Sequence, residues 1–68
     1  MSYLIIFDIP RGEKILNVKV NRLLKEIGAK KFQNSVWRSE NMRELTKIVL
    51  WIRNVGGKAS VLEEKIIF

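Results

Sequence analysis

Residues 3–10 read Tyr-Leu-Ile-Ile-Phe-Asp-Ile-Pro, a run of β-branched and aromatic residues that a single acid, Asp8, interrupts. Its length and composition predict a strand buried on both faces, as central strands of a sheet usually are. Pro10 and Gly12 end this strand. If helices cover only one face of the sheet, the strand leaves apolar side chains on the other. Such a surface normally marks an interface, and we therefore expect a homodimer packed sheet to sheet.

Two later segments have the period of amphipathic helices. The first ends at Gly28, where a left-handed C-cap is favoured. The second follows Asn41, whose spacing to Glu44 resembles a capping box, and it ends at Gly56-Gly57. The residues predicted to face the core are Leu16, Val20, Leu23, Leu24 and Ile27 in the first helix, and Leu45, Ile48, Val49 and Ile52 in the second.

Strand-forming residues fill the remaining stretches. Between the helices, a turn signal at Gln33-Asn34-Ser35 predicts a hairpin of two short strands, and one bent strand would have the same pattern. Residues 58–68 again have a composition typical of strands. Glu63-Glu64 lies either on an exposed part of one strand or at a bend between two short strands. The order βαββαβ predicts one α+β, ferredoxin-like domain over residues 1–68, an antiparallel sheet with two helices on one face.

The composition limits the chemistry available to the chain. Its 68 residues contain no cysteine and no histidine, which excludes disulfides, thiolate or imidazole metal ligands, and Ser-His or Cys-His catalytic pairs. Thirteen Lys and Arg against seven acids give a formal net charge of +6, which favours nucleic acid as a partner. No apolar run reaches the ~18 residues that span a bilayer, and the start lacks the basic region of a signal peptide. We expect no membrane contact and a cytoplasmic location.

Asp8 is the residue whose chemistry the strand pattern does not explain. One interpretation is structural, because a side chain two residues before Pro10 can cap the next helix or close an Asx turn. The other is metal coordination. A two-fold axis beside the strand would bring two Asp8 carboxylates to one Mg²⁺ ion, which commonly binds one or two carboxylates together with substrate phosphate. That arrangement suits phosphodiester hydrolysis. The cations chosen for phosphate contacts flank the predicted turns: Arg11, Lys30, Lys31 and Arg38.

Three segments together form a recognisable set. They are Phe7-Asp8-Ile9 at the end of the first strand, Leu23-Leu24-Lys25-Glu26-Ile27-Gly28 at the end of the first helix, and Gln33-Asn34-Ser35-Val36-Trp37 in the hairpin. In this order they resemble the smaller of the two universal CRISPR-associated adaptation proteins, a family of ferredoxin-like, metal-dependent endonucleases. The resemblance covers about the first half of the chain.

The resemblance implies a symmetric dimer acting in spacer acquisition and antiviral defence. Paired Asp8 side chains would bind Mg²⁺ at the dimer interface as the catalytic site, with RNA or DNA lying across a basic surface. Ser35 matches the hairpin serine, which in the family lies near the metal site, and we include it among the nucleic-acid-binding residues. The resemblance also implies a partnership with the CRISPR integrase subunit.

The residues themselves leave other functions open. Glu13 and Lys14 stand where the family usually has a second acid and an arginine, and Arg38 stands where it often has glutamate. These departures favour a non-catalytic, nucleic-acid-binding scaffold of the same fold, in which Asp8 is a turn residue. A ribonuclease of the toxin type would have a nearly identical pattern. A homo-oligomer that binds a small molecule or a protein is the third alternative.

Overall fold

The chain folds in the order β1 (Tyr3–Asp8), α1 (Lys14–Glu26), β2 (Lys30–Gln33), β3 (Val36–Ser39), α2 (Met42–Asn54) and β4 (Lys58–Glu63). The computed structural model describes residues 1–65. Its four strands form one antiparallel sheet in the order β2-β3-β1-β4. The predicted α+β, ferredoxin-like fold is thereby confirmed. No helix among the described residues is long and apolar enough to cross a membrane.

The core lies between the two helices and one face of the sheet. Both predicted helical faces are confirmed, because their central residues are buried and the flanking ones pack against them. The buried apolar side chains are Ile5, Phe7, Trp37 and Ala59 from the strands, Val20 and Leu24 from α1, and Leu45, Ile48, Val49 and Ile52 from α2.

The hydrogen bonds that end α2 explain why the pair Gly56-Gly57 follows it. The Gly56 amide donates to the carbonyl of Arg53 at 3.0 Å, and the Gly57 amide donates to the carbonyl of Ile52 at 2.9 Å. These two bonds form a Schellman motif, in which the first residue past the cap adopts a left-handed conformation. Gly56 does so with φ +85°, and Gly28 follows α1 with φ +72°. The predicted ends of both helices are therefore confirmed.

The first strand is central, as predicted, since β1 lies between β3 and β4. Its predicted burial on both faces is wrong within the chain. Ile5 and Phe7 face the helices and are buried, whereas Ile6 and Asp8 lie on the opposite face and are exposed. The reason is that both helices pack against the same face, so every second side chain of the strand is left uncovered.

The hairpin is confirmed as two strands rather than one bent strand. Asn34 and Ser35 form the turn, and Gln33 belongs to β2. β4 ends at Glu63, and the Glu64 amide donates to the carbonyl of Ser2 at 2.9 Å. The strand predicted for residues 66–68 lies outside the described residues.

Candidate nucleic-acid interface

The face of the sheet opposite the helices, which we call the open face, carries a mixture of apolar and charged side chains. Alternation along β1 and its antiparallel register assign residues to this face, because directly opposed residues share one side of a sheet. Ile6, Phe32 and Leu62 are between 42% and 50% exposed there. The strand residues of the open face are Leu4, Ile6 and Asp8, Lys30, Phe32 and Gln33, Val36 and Arg38, and Lys58, Ser60 and Leu62.

Asp8 is the one acid that the described strands place on the open face. It is exposed at the end of β1, and its carboxylate makes no hydrogen bond or ion pair with another residue of the range 1–65. The following helix begins at Lys14, with Glu13 at the N-cap position and no side-chain cap hydrogen bond, so Asp8 does not cap it. An Asx turn would need an amide hydrogen two residues further on, where Pro10 has none.

Three other residues are positioned near the end of β1, where Asp8 lies. Lys58 is its direct cross-strand partner in β4. The Phe7 amide donates to the carbonyl of Ser35 at 3.0 Å, which places the hairpin turn beside the end of β1. Arg11 lies in the exposed turn that leaves the strand. The Ser35 backbone therefore lies beside β1 next to Asp8, and Arg11 follows Asp8 by three residues along the chain. Lys58, opposite Asp8, is a residue that sequence reasoning missed.

The remaining predicted phosphate contacts are not part of this group. Lys30 and Arg38 are paired across β2 and β3, and Arg38 lies opposite Leu4, which is four residues, or about 13 Å, along β1 from Asp8. The Arg38 guanidinium is 3.5 Å from a carboxylate oxygen of Glu64. These two cations therefore form a second positive region at the other end of the open face.

Lys31 belongs to neither region. It is opposite Trp37, a buried residue of the helix-facing side of the sheet, and its Nζ lies 5.8 Å from the Trp37 ring centroid. Adjacent residues of a strand point to opposite faces, so Lys30 and Lys31 do not act as one basic pair. Lys31 therefore lies apart from Lys30 and Arg38, and the role of all three as phosphate contacts stays a prediction.

Phe32 adds an aromatic group to the open face. The guanidinium carbon of Arg38 lies 5.7 Å from the centroid of the Phe32 ring, which is a cation–π contact. A half-exposed ring beside an arginine is the kind of surface on which single-stranded nucleic acids stack their bases. The sequence offered only the strand-forming character of Phe32, and not the face on which it lies.

Whether the residues of the open face can hold a Mg²⁺ ion depends on how many protein carboxylates the ion requires. Residues 1–65 contain no group of three ligand-type side chains that could hold a metal ion. Magnesium, however, commonly takes one or two protein carboxylates and completes its shell with water and substrate phosphate. Asp8 supplies one exposed carboxylate that has no hydrogen-bond or ion-pair partner within residues 1–65, and a second copy of the chain at the same site would supply another. The donor set therefore fits Mg²⁺ when two chains share the site.

No protein-family model matches this sequence, and no curated protein is significantly similar to it. The class of the protein is therefore defined by its fold, an α+β domain of the ferredoxin-like type with one uncovered sheet face. The similarity to the CRISPR-associated family remains a prediction that rests on the strand, helix and hairpin motifs.

Proposed function

We propose that this protein is a small CRISPR-associated adaptation protein, a symmetric homodimer that binds nucleic acid and cleaves phosphodiester bonds with Mg²⁺. The observation that carries the proposal is Asp8, the one acid on the open face of the described strands, exposed and without an internal partner. A carboxylate that makes no hydrogen bond or ion pair within residues 1–65 is available for a metal ion. The proposed setting is spacer acquisition together with the integrase subunit.

Dimerisation through the open face has a physical basis in its exposed apolar residues. Ile6 and Leu62 are 42% and 50% exposed, and they lie on neighbouring strands. A domain of this size buries only about 60% of the surface of its unfolded chain and is commonly stabilised by association. An isologous contact would cover this patch with its own copy. With the two-fold axis near the end of β1, the two Asp8 carboxylates would share one site.

Each residue at this end of the sheet has a separate role in the proposed chemistry. The Asp8 pair would hold Mg²⁺, which neutralises charge developing on the phosphodiester and activates water when it is bound. Lys58 and Arg11 supply positive charge that attracts and positions the nucleic-acid backbone. The Ser35 hydroxyl can donate a hydrogen bond to a phosphate oxygen.

The test compares wild type with Asp8→Asn on end-labelled single-stranded RNA and double-stranded DNA, in Mg²⁺ and in chelator. We expect cleavage by wild type in Mg²⁺ only, and none by Asp8→Asn, whose folding and nucleic-acid binding are retained. Glu63→Gln is the matched control, because it neutralises an exposed carboxylate at the end of β4. Cleavage that survives in chelator or in Asp8→Asn would overturn the catalytic assignment.

A second candidate function is nucleic-acid binding without cleavage, and the Phe32–Arg38 contact favours it. Base–aromatic stacking contributes about 1–3 kcal/mol per base, so Phe32→Ala would weaken binding of single-stranded RNA by roughly tenfold. This function uses the open face in a monomer. Binding by a monomer that loses affinity in Phe32→Ala, together with no Mg²⁺-dependent cleavage, would select it over the dimeric nuclease.

A further inference from the structure

We infer that the outward side of α1 is a docking surface for an acidic, amphipathic protein segment. This surface, called the α1 outer face below, consists of Lys14, Ile15, Val18, Lys19, Arg22 and Lys25. It lies on the helix-covered side of the sheet, away from Asp8 and the open face. The inference uses no property of the proposed nuclease site.

Two aliphatic side chains on this surface have no packing role in the described chain. Ile15 is 87% exposed and Val18 is 58% exposed, although α1 already buries Val20 and Leu24 on its core side. Positions three residues apart are neighbours on a helix surface. Ile15 and Val18 therefore form one apolar contact area on the surface of α1, bordered by Lys14, Lys19 and Arg22.

Cations outnumber acids on this side of α1, where Glu26, at the end of the helix, is the one acid beside Lys14, Lys19, Arg22 and Lys25. Lys14 stands in the first turn of α1, which contains no acid and whose dipole disfavours a cation. No ion pair formed within residues 1–65 includes a side chain of α1. Lys19 makes a cation–π contact instead, with its Nζ 4.0 Å from the Trp51 ring centroid. Lys25, in the last turn of α1, is favoured by the helix dipole. Contacts within the described chain therefore account for Lys19 and Lys25 but not for Lys14 and Arg22, whose charges an external anionic partner would match.

The combination of positive charge and apolar surface indicates which kind of partner binds the α1 outer face. A second copy would bring four cations against four cations, so self-association through this face is disfavoured by repulsion. A nucleic-acid duplex offers phosphates and no aliphatic counterpart for Ile15 and Val18. A protein helix that carries aliphatic residues among Asp and Glu satisfies both features, because it can pack its apolar stripe against Ile15 and Val18 while its acids face the cations.

The experiment selects binders from a phage library of random peptides about 16 residues long, roughly four helical turns. The bait is the full chain, and the library is depleted on the Ile15→Ser/Val18→Ser double variant. We expect enriched peptides with net negative charge and aliphatic residues spaced three or four apart. A synthetic enriched peptide should bind the double variant about tenfold more weakly or worse. Leu50→Ser is the matched control, because Leu50 is 61% exposed on α2, and it should bind normally.

Charge is tested separately with Lys14→Gln/Arg22→Gln, which should weaken the peptide and flatten the salt dependence of its binding. Failure to enrich, or enrichment of neutral or basic peptides, would overturn the inference. So would binding of duplex DNA or of phosphatidylserine vesicles that requires Ile15 and Val18, because the occupant would then be of another class. The double variant keeps Asp8 intact, so these results are independent of whether the proposed nuclease activity is found.

Discussion

Replacing Gly57 by alanine is predicted to destabilise the fold for a purely steric reason. Gly57 does not have a positive φ, so an alanine meets no backbone penalty there. Its Cβ, however, would lie 2.5 Å from Cγ2 of Ile52 and 2.7 Å from the carbonyl oxygen of Asp8. Ordinary contact begins at 3.4 Å, and the Asp8 oxygen is a backbone atom that cannot rotate away. The end of α2 and the end of β1 must therefore move apart.

The size of this effect follows from the overlap. Overpacking typically lowers the free energy of unfolding by about 1–3 kcal/mol. Because backbone must move in Gly57→Ala, we expect a loss in the upper part of this range, about 2–3 kcal/mol. Gly56→Ala meets nothing within 4 Å and is strained only by φ +85°. That strain costs about 1–2 kcal/mol, of which ~0.4–1 is offset by the stiffer unfolded chain. Since 1 kcal/mol shifts Tm by about 4–8 °C in a small domain, Gly57→Ala should lower Tm by roughly 10–20 °C.

The assay is thermal unfolding followed by far-UV circular dichroism, with urea unfolding followed by tryptophan fluorescence. All variants are compared at one protein concentration, because self-association stabilises by mass action. Asparagine separates the two causes, since it tolerates the left-handed region better than alanine. Gly56→Asn should recover most of the stability lost in Gly56→Ala, whereas Gly57→Asn should not improve on Gly57→Ala. A Gly57→Ala protein as stable as wild type would refute the reasoning.

Three further outcomes test other parts of the fold and the proposed assembly. Asn41→Ala removes the side-chain acceptor that binds the Glu44 amide at 3.2 Å, and urea unfolding should show a loss of about 1 kcal/mol that Asn41→Asp largely avoids. Arg53→Lys replaces a guanidinium that donates two hydrogen bonds to the Ala59 carbonyl, at 2.8 and 3.1 Å, and should cost about 1–2 kcal/mol in the same assay. Ile6→Lys introduces charge into the exposed apolar patch and should convert the proposed dimer to a monomer in sedimentation, and an unchanged dimer would place the interface elsewhere.

The helices could be predicted from the sequence because their signals are local. Leu45, Ile48 and Ile52 repeat at the helical period, and each is fully buried in the structure. A period of 3.6 residues fixes which stripe faces the core without knowledge of the partner element. The signals for the helix ends were equally local, because Gly28 and Gly56 provide the left-handed conformation that a Schellman motif requires.

The candidate site could be predicted only in part, because its composition depends on strand register. Asp8 was identified from its chemistry, as an acid in an apolar strand. Its neighbour Lys58 was not, since the pairing of β1 with β4 joins residues 50 positions apart and a shift of one residue would place Lys58 on the other face. The assignment of Phe32 to the open face likewise required the pairing of β2 with β3, which places Lys30 opposite Arg38 and Lys31 opposite Trp37. Local patterns contain no information on either point.

The two surfaces of functional interest lie on opposite sides of the sheet, and this arrangement follows from the fold. Both helices pack on one face, so the described chain covers neither the open face nor the outer side of α1. Association through the open face would therefore leave the α1 outer face uncovered in both protomers. A dimer of this kind would carry Asp8 at its centre and two cationic helices at its periphery. Binding of a protein partner to α1 would then be compatible with, and energetically separate from, occupation of the Asp8 site.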